Sequence, residues 1–349
     1  YMAYYWPVSF HQVLGALAEI KARYPQASWT SVLDLGSGPG PAAAAACVMG
    51  ASRVTLVDAS STALQVAQTL LMQGAGMAAS HISILPQNLE SIFSMPEGPF
   101  DLAVMCHALN ELWHTQPDAL ERRTVLLERA LERIAPGGVL LLMEPSAHYA
   151  SRPLLALRDL LLERNPSLRC IAPCPHGAPC PLLQAENERT CFSEWQWTPP
   201  RLVERLANLA GLDKSSLKAA WVAFQTAKLS TPAAPMTDEA NPVSSSATSE
   251  QAHRCPVSLS LRGRVVSDPL RNKAGRIRRL VCTESGKLAT LSAPPVTGQD
   301  PASSGSAALL NLQRGDCIEA CRLEPRPGAL HGGLLPDSTI SFLLRPPSF

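Results

Sequence analysis

The sequence predicts an α/β fold with a doubly wound, parallel sheet, followed by a cysteine-rich segment and a small C-terminal β module. Three observations predict it. From residue 31 to about 146, short runs rich in apolar and β-branched residues alternate with segments of helical period, the pattern of a sheet covered by helices on both faces. A glycine-rich turn, Gly36-Ser37-Gly38-Pro39-Gly40, joins the first run to a helix, and an acid, Asp58, ends the next run. Beyond residue 255 the runs are short and separated by turn residues, as in an antiparallel sheet.

The elements follow in order. Residues 7–23 place Val13, Leu14, Leu17 and Ile20 at helical spacing. SVLDLGSG is the first strand, and the Ala-rich stretch 41–49 the helix after it. RVTLVDAS is strand two, residues 62–74 a helix, HISILPQNL strand three and FDLAVMCHAL strand four. A helix over 119–135 is stopped by Pro136-Gly137-Gly138, and GVLLLMEPS is strand five. Helices are expected near 153–163 and over 199–211, with one more strand in KSSLKAAWVAFQTAK. Residues 230–254 are polar and of low complexity, which predicts a disordered insertion. VSLSLRGRVVSD, GRIRRLVCTESGKLATLS, DCIEACRL and STISFLLR give the short strands of an antiparallel, partly open barrel, with a Pro/Ser/Gly-rich loop over 292–308. The expected organisation is therefore an α/β domain over 1–165, a cysteine-rich segment and helix over 166–229, the insertion over 230–254 and a basic β module over 255–349.

Composition bounds the function. The 349 residues suit two or three domains, and a hydrophobic content of 46% is ample for packed cores. The net charge of +1 leaves no global field to attract nucleic acid, so any basic surface is local. No run approaches the roughly 20 apolar residues of a membrane span, so no membrane partner is expected. The chain starts at Tyr1, as expected of a processed or trimmed polypeptide, so the absence of a targeting segment excludes no compartment. Ten cysteines in a chain of this length are not a disulfide framework, and four of them fall between residues 170 and 191.

Gly36 and Gly38 let the backbone turn sharply and approach a ligand closely. Asp58 lies 24 residues after Asp34, where a carboxylate can accept hydrogen bonds from both hydroxyls of a ribose. A dinucleotide fold uses the same geometry with G-x-G-x-x-G spacing, whereas this turn reads G-x-G-x-G behind an acid. That form resembles the S-adenosylmethionine loop of class I methyltransferases, over residues 30 to about 145. The resemblance implies that Asp34, Gly36, Ser37, Gly38 and Gly40 lie by the methionine moiety, that Asp58 holds the ribose, and that Gln87 and Asn88 lie near the adenine. Strand four ends Cys106-His107-Ala108-Leu109-Asn110-Glu111-Leu112. It lacks the Asn/Asp-Pro-Pro-aromatic motif of amino-directed nucleic-acid methyltransferases and the Pro-Cys nucleophile of pyrimidine C5 enzymes. His107 has the chemistry of a general base. The reading preferred is that His107, Asn110 and Glu111 line the cofactor pocket or cap the next helix, which leaves the catalytic residues unknown.

CIAPCPHGAPCP, residues 170–181, cannot form a helix, and Cys191 follows shortly after. Thiolates favour zinc and iron–sulfur clusters. The spacing C-x3-C-x5-C-x10-C is not the paired knuckle of a zinc ribbon, and the prolines stiffen an irregular loop, so that less chain entropy is lost when metal binds. Cys-Pro-His-Gly-Ala-Pro-Cys-Pro, Cys191-Phe192-Ser193, the glycine loop and the string His107 to Leu112 together resemble the methyltransferase-like family of mitochondrial small-subunit ribosome assembly factors (methyltransferase-like protein 17 and its relatives). The resemblance implies a [4Fe-4S] cluster on Cys174, Cys180, Cys191 and, from Leu280-Val281-Cys282-Thr283, Cys282. Cys170 is close enough in sequence to be the fourth ligand instead, and zinc is the alternative metal. His176 is expected to orient the loop by hydrogen bonding. Cys47 is expected to be buried in its helix, and Cys317 and Cys321 to pack in a core.

Arg262, Arg264, Arg271, Lys273, Arg276, Arg278 and Arg279 fall within eighteen residues, interrupted by a single acid, Asp268. A solvated strand face is the ordinary reading of such a run. The resemblance turns it toward phosphate contacts with ribosomal RNA. It further implies a mitochondrial matrix protein that binds small-subunit rRNA and ribosomal proteins of a precursor particle, beside other assembly factors. Two readings of the S-adenosylmethionine fold stay open: a scaffold or ligand-sensing domain, or an active rRNA methyltransferase with the metal as a staple. A radical S-adenosylmethionine enzyme is disfavoured, because its C-x3-C-x2-C loop is missing.

Overall fold

The computed structural model describes residues 2–91, 94–184, 189–227, 260–294, 305–325 and 330–349. The expected insertion at 230–254, Cys255 and most of the 292–308 loop lie outside these residues. The first unit runs α1 (Tyr5–Arg23), β1 (Ser31–Leu35), α2 (Pro41–Val48), β2 (Arg53–Asp58), α3 (Ser61–Gly74), β3 (Ile82–Pro86), β4 (Phe100–Cys106), α4 (Ala119–Leu131), β5 (Ile134–Pro145), α5 (His148–Arg164), β6 (Arg169–Ala172), α6 (Pro181–Gln184), β7 (Ser193–Gln196), α7 (Arg201–Leu209) and β8 (Ser216–Gln225). Its sheet has the order β3-β2-β1-β4-β5-β8-β6, with β7 also paired to β8. β1 to β5 are parallel, whereas β8 runs antiparallel to β5, with Leu141 opposite Ala223. A doubly wound sheet closed by one reversed strand is the topology of a class I methyltransferase.

The central strands are nearly continuous apolar runs because both faces are covered. One core, with Leu17, Val32, Leu56, Val104 and Leu141, lies under α1, α2 and α3. The other, with Leu33, Leu35, Met105, Leu127 and Leu161, lies under α4 and α5. α2 is built almost wholly of alanine, with Pro41 at its start, where a missing N–H costs nothing. Ser60 caps α3 by accepting the Ala63 N–H at 3.2 Å. Two readings from sequence differ from the fold. The helix expected through 135 stops at Leu131, because Ile134 is already opposite Phe100 in the sheet and Pro136-Gly137-Gly138 form an irregularity inside β5. The sheet also runs past residue 165: the strand in KSSLKAAWVAFQTAK is β8, between β5 and β6, so the cysteine-rich segment is folded into the first unit's edge.

The second unit comprises β9 (Leu261–Val265), β10 (Leu270–Arg271), β11 (Ile277–Thr283), β12 (Leu288–Ala293), α8 (Gly305–Asn311), β13 (Cys317–Pro325) and β14 (His331–Leu344). β9 pairs with both β11 and β13, so β9-β11-β12-β14-β13 close on themselves into a five-stranded barrel. The pairs are antiparallel except β12–β14, where Thr290 and His331 are parallel partners. The expectation was an antiparallel, partly open module. The closed ring with one parallel pair and a helix between its third and fourth strands is a Greek-key barrel of the OB type. α8 lies in what the sequence suggested was loop.

The barrel is tied to the first unit by specific contacts. Buried Arg264 of β9 donates to Ser193 Oγ at 2.6 Å and contacts Cys191 Sγ at 3.2 Å. Arg23 of α1 reaches Cys317 Sγ at 3.2 Å. The chain then returns to the first unit, where Phe349 exchanges backbone hydrogen bonds with Gln196 and Thr198.

Candidate cofactor pocket and thiol junction

Two sites emerge, one inside the first unit and one where the units meet. At the carboxyl ends of β1, β2 and β4, a cavity of about 320 Å³ is lined by Asp34, Gly36, Ser37, Gly38, Asp58, Asn88 and His107. That volume is at the lower end of the roughly 300–1,000 Å³ typical of small-molecule sites. The glycine turn makes it. Gly36 has φ +68°, and a Cβ there would meet the Ala108 Cβ at 2.6 Å, so the turn lies flat against the strand-four loop. Gly38 has φ +51° and nothing within 4 Å of its Cβ position, so it faces open space. Gly40 stands off the cavity. At φ +76° it caps α2.

Each acid has a defined partner. Asp58 Oδ2 accepts the Gly38 N–H and Oδ1 the Ser60 N–H, both at 2.8 Å, so the carboxylate holds the loop open. Asp34 is buried and accepts the Ala43 N–H at 3.0 Å. Burial, with Asp58 nearby, pushes its carboxyl up to about 7 despite that hydrogen bond. His107 sits at φ +57°, and its Nε2 is 2.9 Å from Gln12 Oε1, while Gln12 Nε2 donates to Lys218 O at 2.9 Å. Burial pushes the imidazole down to about 4, so it is neutral at physiological pH and suits a hydrogen-bonding wall better than a cation. Glu111 lines the cavity. Asn110 does not, correcting the expectation: its amide donates to Glu144 at 2.6 Å, and α4 starts after Asp118 without a side-chain cap. Gln87 contributes its backbone, donating to Asp58 O. Sequence reading missed Gln12, Ser9 and the buried Glu144 and Arg123, which hold the loop by accepting from Asn110 and donating to the Asn110 and Leu112 carbonyls. The first two lie on α1, whose helical period announced only packing.

The second site is an enclosed cavity lined by Cys174, Cys180, Cys191 and Cys282, together with His176 and two buried arginines, Arg158 and Arg264. Cys174 follows β6, Cys180 precedes α6, Cys191 precedes β7, and Cys282 comes from β11 of the barrel. All four are free thiols. Cys170 faces a different, larger cavity, although its thiol hydrogen-bonds that of Cys174. His176 Nε2 is 3.2 Å from Cys282 Sγ, and its Nδ1 is 3.1 Å from Ala178 O. It thus holds the loop against the barrel. Gly286 lets the barrel approach: a Cβ there would meet Ala178 at 2.8 Å.

The electrostatics are unusual for a core. Burial pushes Cys180 up to about 12, helped by Cys191, and raises Cys282 and Cys191 as well. Cys174 alone is lowered, to about 5, by the Cys170 thiol and then by Arg158 and Arg264. Arg158 donates to His176 O at 2.7 Å and Ala178 O at 2.8 Å and pairs with Asp159. The Nε atoms of both Arg158 and Arg264 are buried without a partner. Two guanidinium groups beside four thiols are matched if the thiols carry negative charge, as they do around metal. Among the described residues no three His, Cys, Asp or Glu side chains gather tightly enough to hold a single ion.

The family description that matches this chain, over residues 1–292, is Mitochondrial small ribosomal subunit Rsm22. The chain belongs to that family. It is 32% identical over 210 residues to the human "Ribosome assembly protein METTL17, mitochondrial". The match covers 56% of this chain and 42% of that relative, so the chain spans less than half of the relative's length. Among solved structures, it is similar to the N-methyltransferase NodS from Bradyrhizobium japonicum WM9 with S-adenosyl-l-homocysteine, at 14% identity over 60% of this chain and 84% of that one, TM-score 0.38. It is also similar to the plantazolicin methyltransferase BpumL with the same ligand, at 11% identity over 64% and 85%, TM-score 0.39. The fold assignment rests on the strand order itself.

Within this Rsm22 chain, three sequence expectations change. Arg264 and Arg279 are not surface residues. Arg264 is in the thiol junction, and Arg279 donates to Ser267, Leu309, Leu310 and Leu312 carbonyls, holding α8 to the barrel. Arg262, Arg271, Lys273 and Arg278 remain exposed. Cys321 is buried in the core as expected, and is disulfide-bonded, whereas Cys317 is half-buried and meets Arg23. Cys47 is half-buried and touches Met77 Sδ at 3.2 Å.

Proposed function

We propose that this protein is an assembly factor of the mitochondrial small ribosomal subunit that carries a structural [4Fe-4S] cluster and binds rRNA through its barrel. Its compartment is the mitochondrion, in keeping with its family. The observation that carries the cluster reading is that four thiols from separate segments of both units line one cavity beside two buried arginines. The thiols share that cavity without converging on one point. This suits ligands to separate irons of a cluster better than a single zinc, whose four sulfurs must each lie about 2.3 Å from it. With Cys174, Cys180 and Cys191 on one unit and Cys282 on the other, the centre is a staple that couples docking of the barrel to metal loading. When bound, the cluster supplies negative charge that the guanidinium groups of Arg158 and Arg264 compensate.

We assign S-adenosylmethionine to the cavity at Gly36–Gly38, with Asp58 toward its ribose, supported by the Asp58 carboxylate that fixes the loop through the Gly38 N–H and by the open space at Gly38. The residues of this chain bind and orient there. Asp58 sets the loop, His107 walls the pocket as a neutral imidazole, and Gln12 fixes the ring. Strand four carries neither the Asn/Asp-Pro-Pro-aromatic motif nor a Pro-Cys nucleophile, which favours a scaffold or ligand-sensing role. Active rRNA methylation is the second reading, supported by the intact cofactor loop. For the barrel, exposed Arg271, Lys273 and Arg278 on the β9–β11 side supply phosphate contacts on a fold that often binds oligonucleotides.

Iron and acid-labile sulfide analysis of anaerobically purified protein tests the cluster. Zinc alone, or no metal, overturns it. Co-sedimentation with precursor small-subunit particles tests the partner, and a methyl-transfer assay on precursor rRNA separates the two readings of the pocket.

A further inference from the structure

The largest cavity described, about 700 Å³, is not the cofactor pocket. It opens between the units, beside the thiol junction, and its wall carries Cys170, Cys174 and Cys317. Cys174 is shared: it lines both this cavity and the enclosed four-thiol one. Cys170 lines only the open cavity, and its thiol is hydrogen-bonded to that of Cys174. Both sulfurs lie beside Arg158. The same wall holds Arg23, whose Nε is buried without a partner, and exposed Arg169. Glu284 is the single carboxylate among its described residues.

A ligand of the junction thus touches a non-ligand thiol across an opening large enough for a small molecule. We propose that Cys170 and Cys174 form an oxidisable dithiol, and that the open cavity admits an acidic low-molecular-weight disulfide that oxidises it in the metal-free chain. Cys174 gives up its proton to solvent and attacks one sulfur of the incoming disulfide. The S–S bond of the reagent breaks, one small thiolate leaves, and a mixed disulfide forms on Cys174. Cys170 loses its proton to solvent and attacks the Cys174 sulfur, expelling the second thiolate. The two cysteines are oxidised by two electrons and the reagent is reduced to two thiols. Arg23 and Arg169 receive the carboxylates of the reagent at the cavity mouth.

The consequence, which rests on the cluster reading, is exclusivity. A Cys170–Cys174 disulfide removes one of the four ligands, so the chain carries either the metal centre or the disulfide. Loading then requires prior reduction.

The test uses the full chain, stripped of metal with chelator under reductant, then exposed to glutathione disulfide. Peptide mass spectrometry of alkylated digests should find Cys170 joined to Cys174, and Cys170→Ser should instead accumulate glutathione on Cys174. Iron and sulfide uptake should be lost in the oxidised wild type, return after dithiothreitol, and in Cys170→Ser kept under reductant match the reduced wild type. Far-ultraviolet circular dichroism checks that this variant folds, and Cys170→Ala is the second variant. The proposal is overturned if Cys174 pairs with Cys180, Cys191 or Cys317 in preference to Cys170, or if neither thiol reacts. It is overturned too if Cys170→Ser and Cys170→Ala both fold but fail to take up iron, which would make Cys170 a ligand. If the reduced wild type binds no iron, the cluster reading fails, while the cross-link still decides the dithiol.

Discussion

The glycine-loop pocket and the thiol junction solve the same problem, positioning polar groups in a core, in opposite ways. The pocket is closed in on itself. Both Asp58 oxygens already accept backbone N–H groups, Asp34 accepts one, and His107 is held by Gln12. The junction is left open in charge. Arg158 and Arg264 keep unpartnered Nε atoms beside Cys180, Cys191 and Cys282, whose thiols burial holds protonated, and beside Cys174, whose thiol is lowered. The pocket's two acids are therefore partnered before a ligand arrives, although His107 Nδ1 is buried without a partner, whereas the junction holds two cationic groups that a bound anionic centre would compensate. A site of the first kind gains little stability from its ligand beyond mass action, while a site of the second kind makes metal binding part of folding.

The contrast breaks most readily at the junction. Cys282→Ser should abolish iron and sulfide content and loosen the barrel, a loss on the order of 10 kcal/mol if the centre behaves as structural metal sites do. Limited proteolysis between the units, with metal analysis alongside, checks it. A variant that keeps full iron and a single unfolding transition would remove Cys282 from the ligand set. Next in size, Arg279→Ala strips the carbonyls at the end of α8 of their buried donor and should cost about 3–5 kcal/mol by urea denaturation. The same substitution at exposed Lys273 should cost nearly nothing.

At the pocket, the Asp34 carboxyl is raised from 3.8 to about 7 in the folded chain. The native state then binds more protons than the unfolded state between those values, so this group's contribution is full below about 4 and is lost as pH rises through 7. Asp34→Asn should flatten that decline, with a difference from wild type that grows by up to about 4 kcal/mol across the window. Parallel curves would mean Asp34 is ionised throughout. Gly36→Ala drives a Cβ into Ala108 at positive φ and should cost about 1–3 kcal/mol, with loss of S-adenosylhomocysteine binding by calorimetry. The smallest effect on stability is expected from Arg271→Glu, Lys273→Glu and Arg278→Glu. They should leave the melting temperature unchanged while each lowers the salt dependence of RNA binding by about one unit of slope. An unchanged slope would move the RNA contact elsewhere.

Much of the pocket could be read from Val32 to Asp58, because its chemistry is local: a turn needing positive φ, written in glycines, and an acid at a strand end. Gln12 could not be read, since its role depends on α1 crossing the sheet to meet His107. The thiol residues were legible as a set through the Cys-Pro-His loop and family resemblance. Their flanking arginines were not. Arg158 sits in an apolar helix and Arg264 in a basic run, and neither pattern says which guanidinium is buried. Arg279 was misjudged for the same reason, as alternation within β11 turns it inward beside Ile277 and Val281.

The sequence by itself determined the strand-and-helix alternation, the cofactor turn and the identity of the thiols, because these depend on backbone conformations and residue chemistry that act over a few positions. The tertiary structure alone decided that the barrel closes, that β8 enters the first sheet, and that Cys282 arrives 108 positions after Cys174. Those outcomes come from long-range strand pairing and burial, where the partner of each group is chosen by what else must be removed from water.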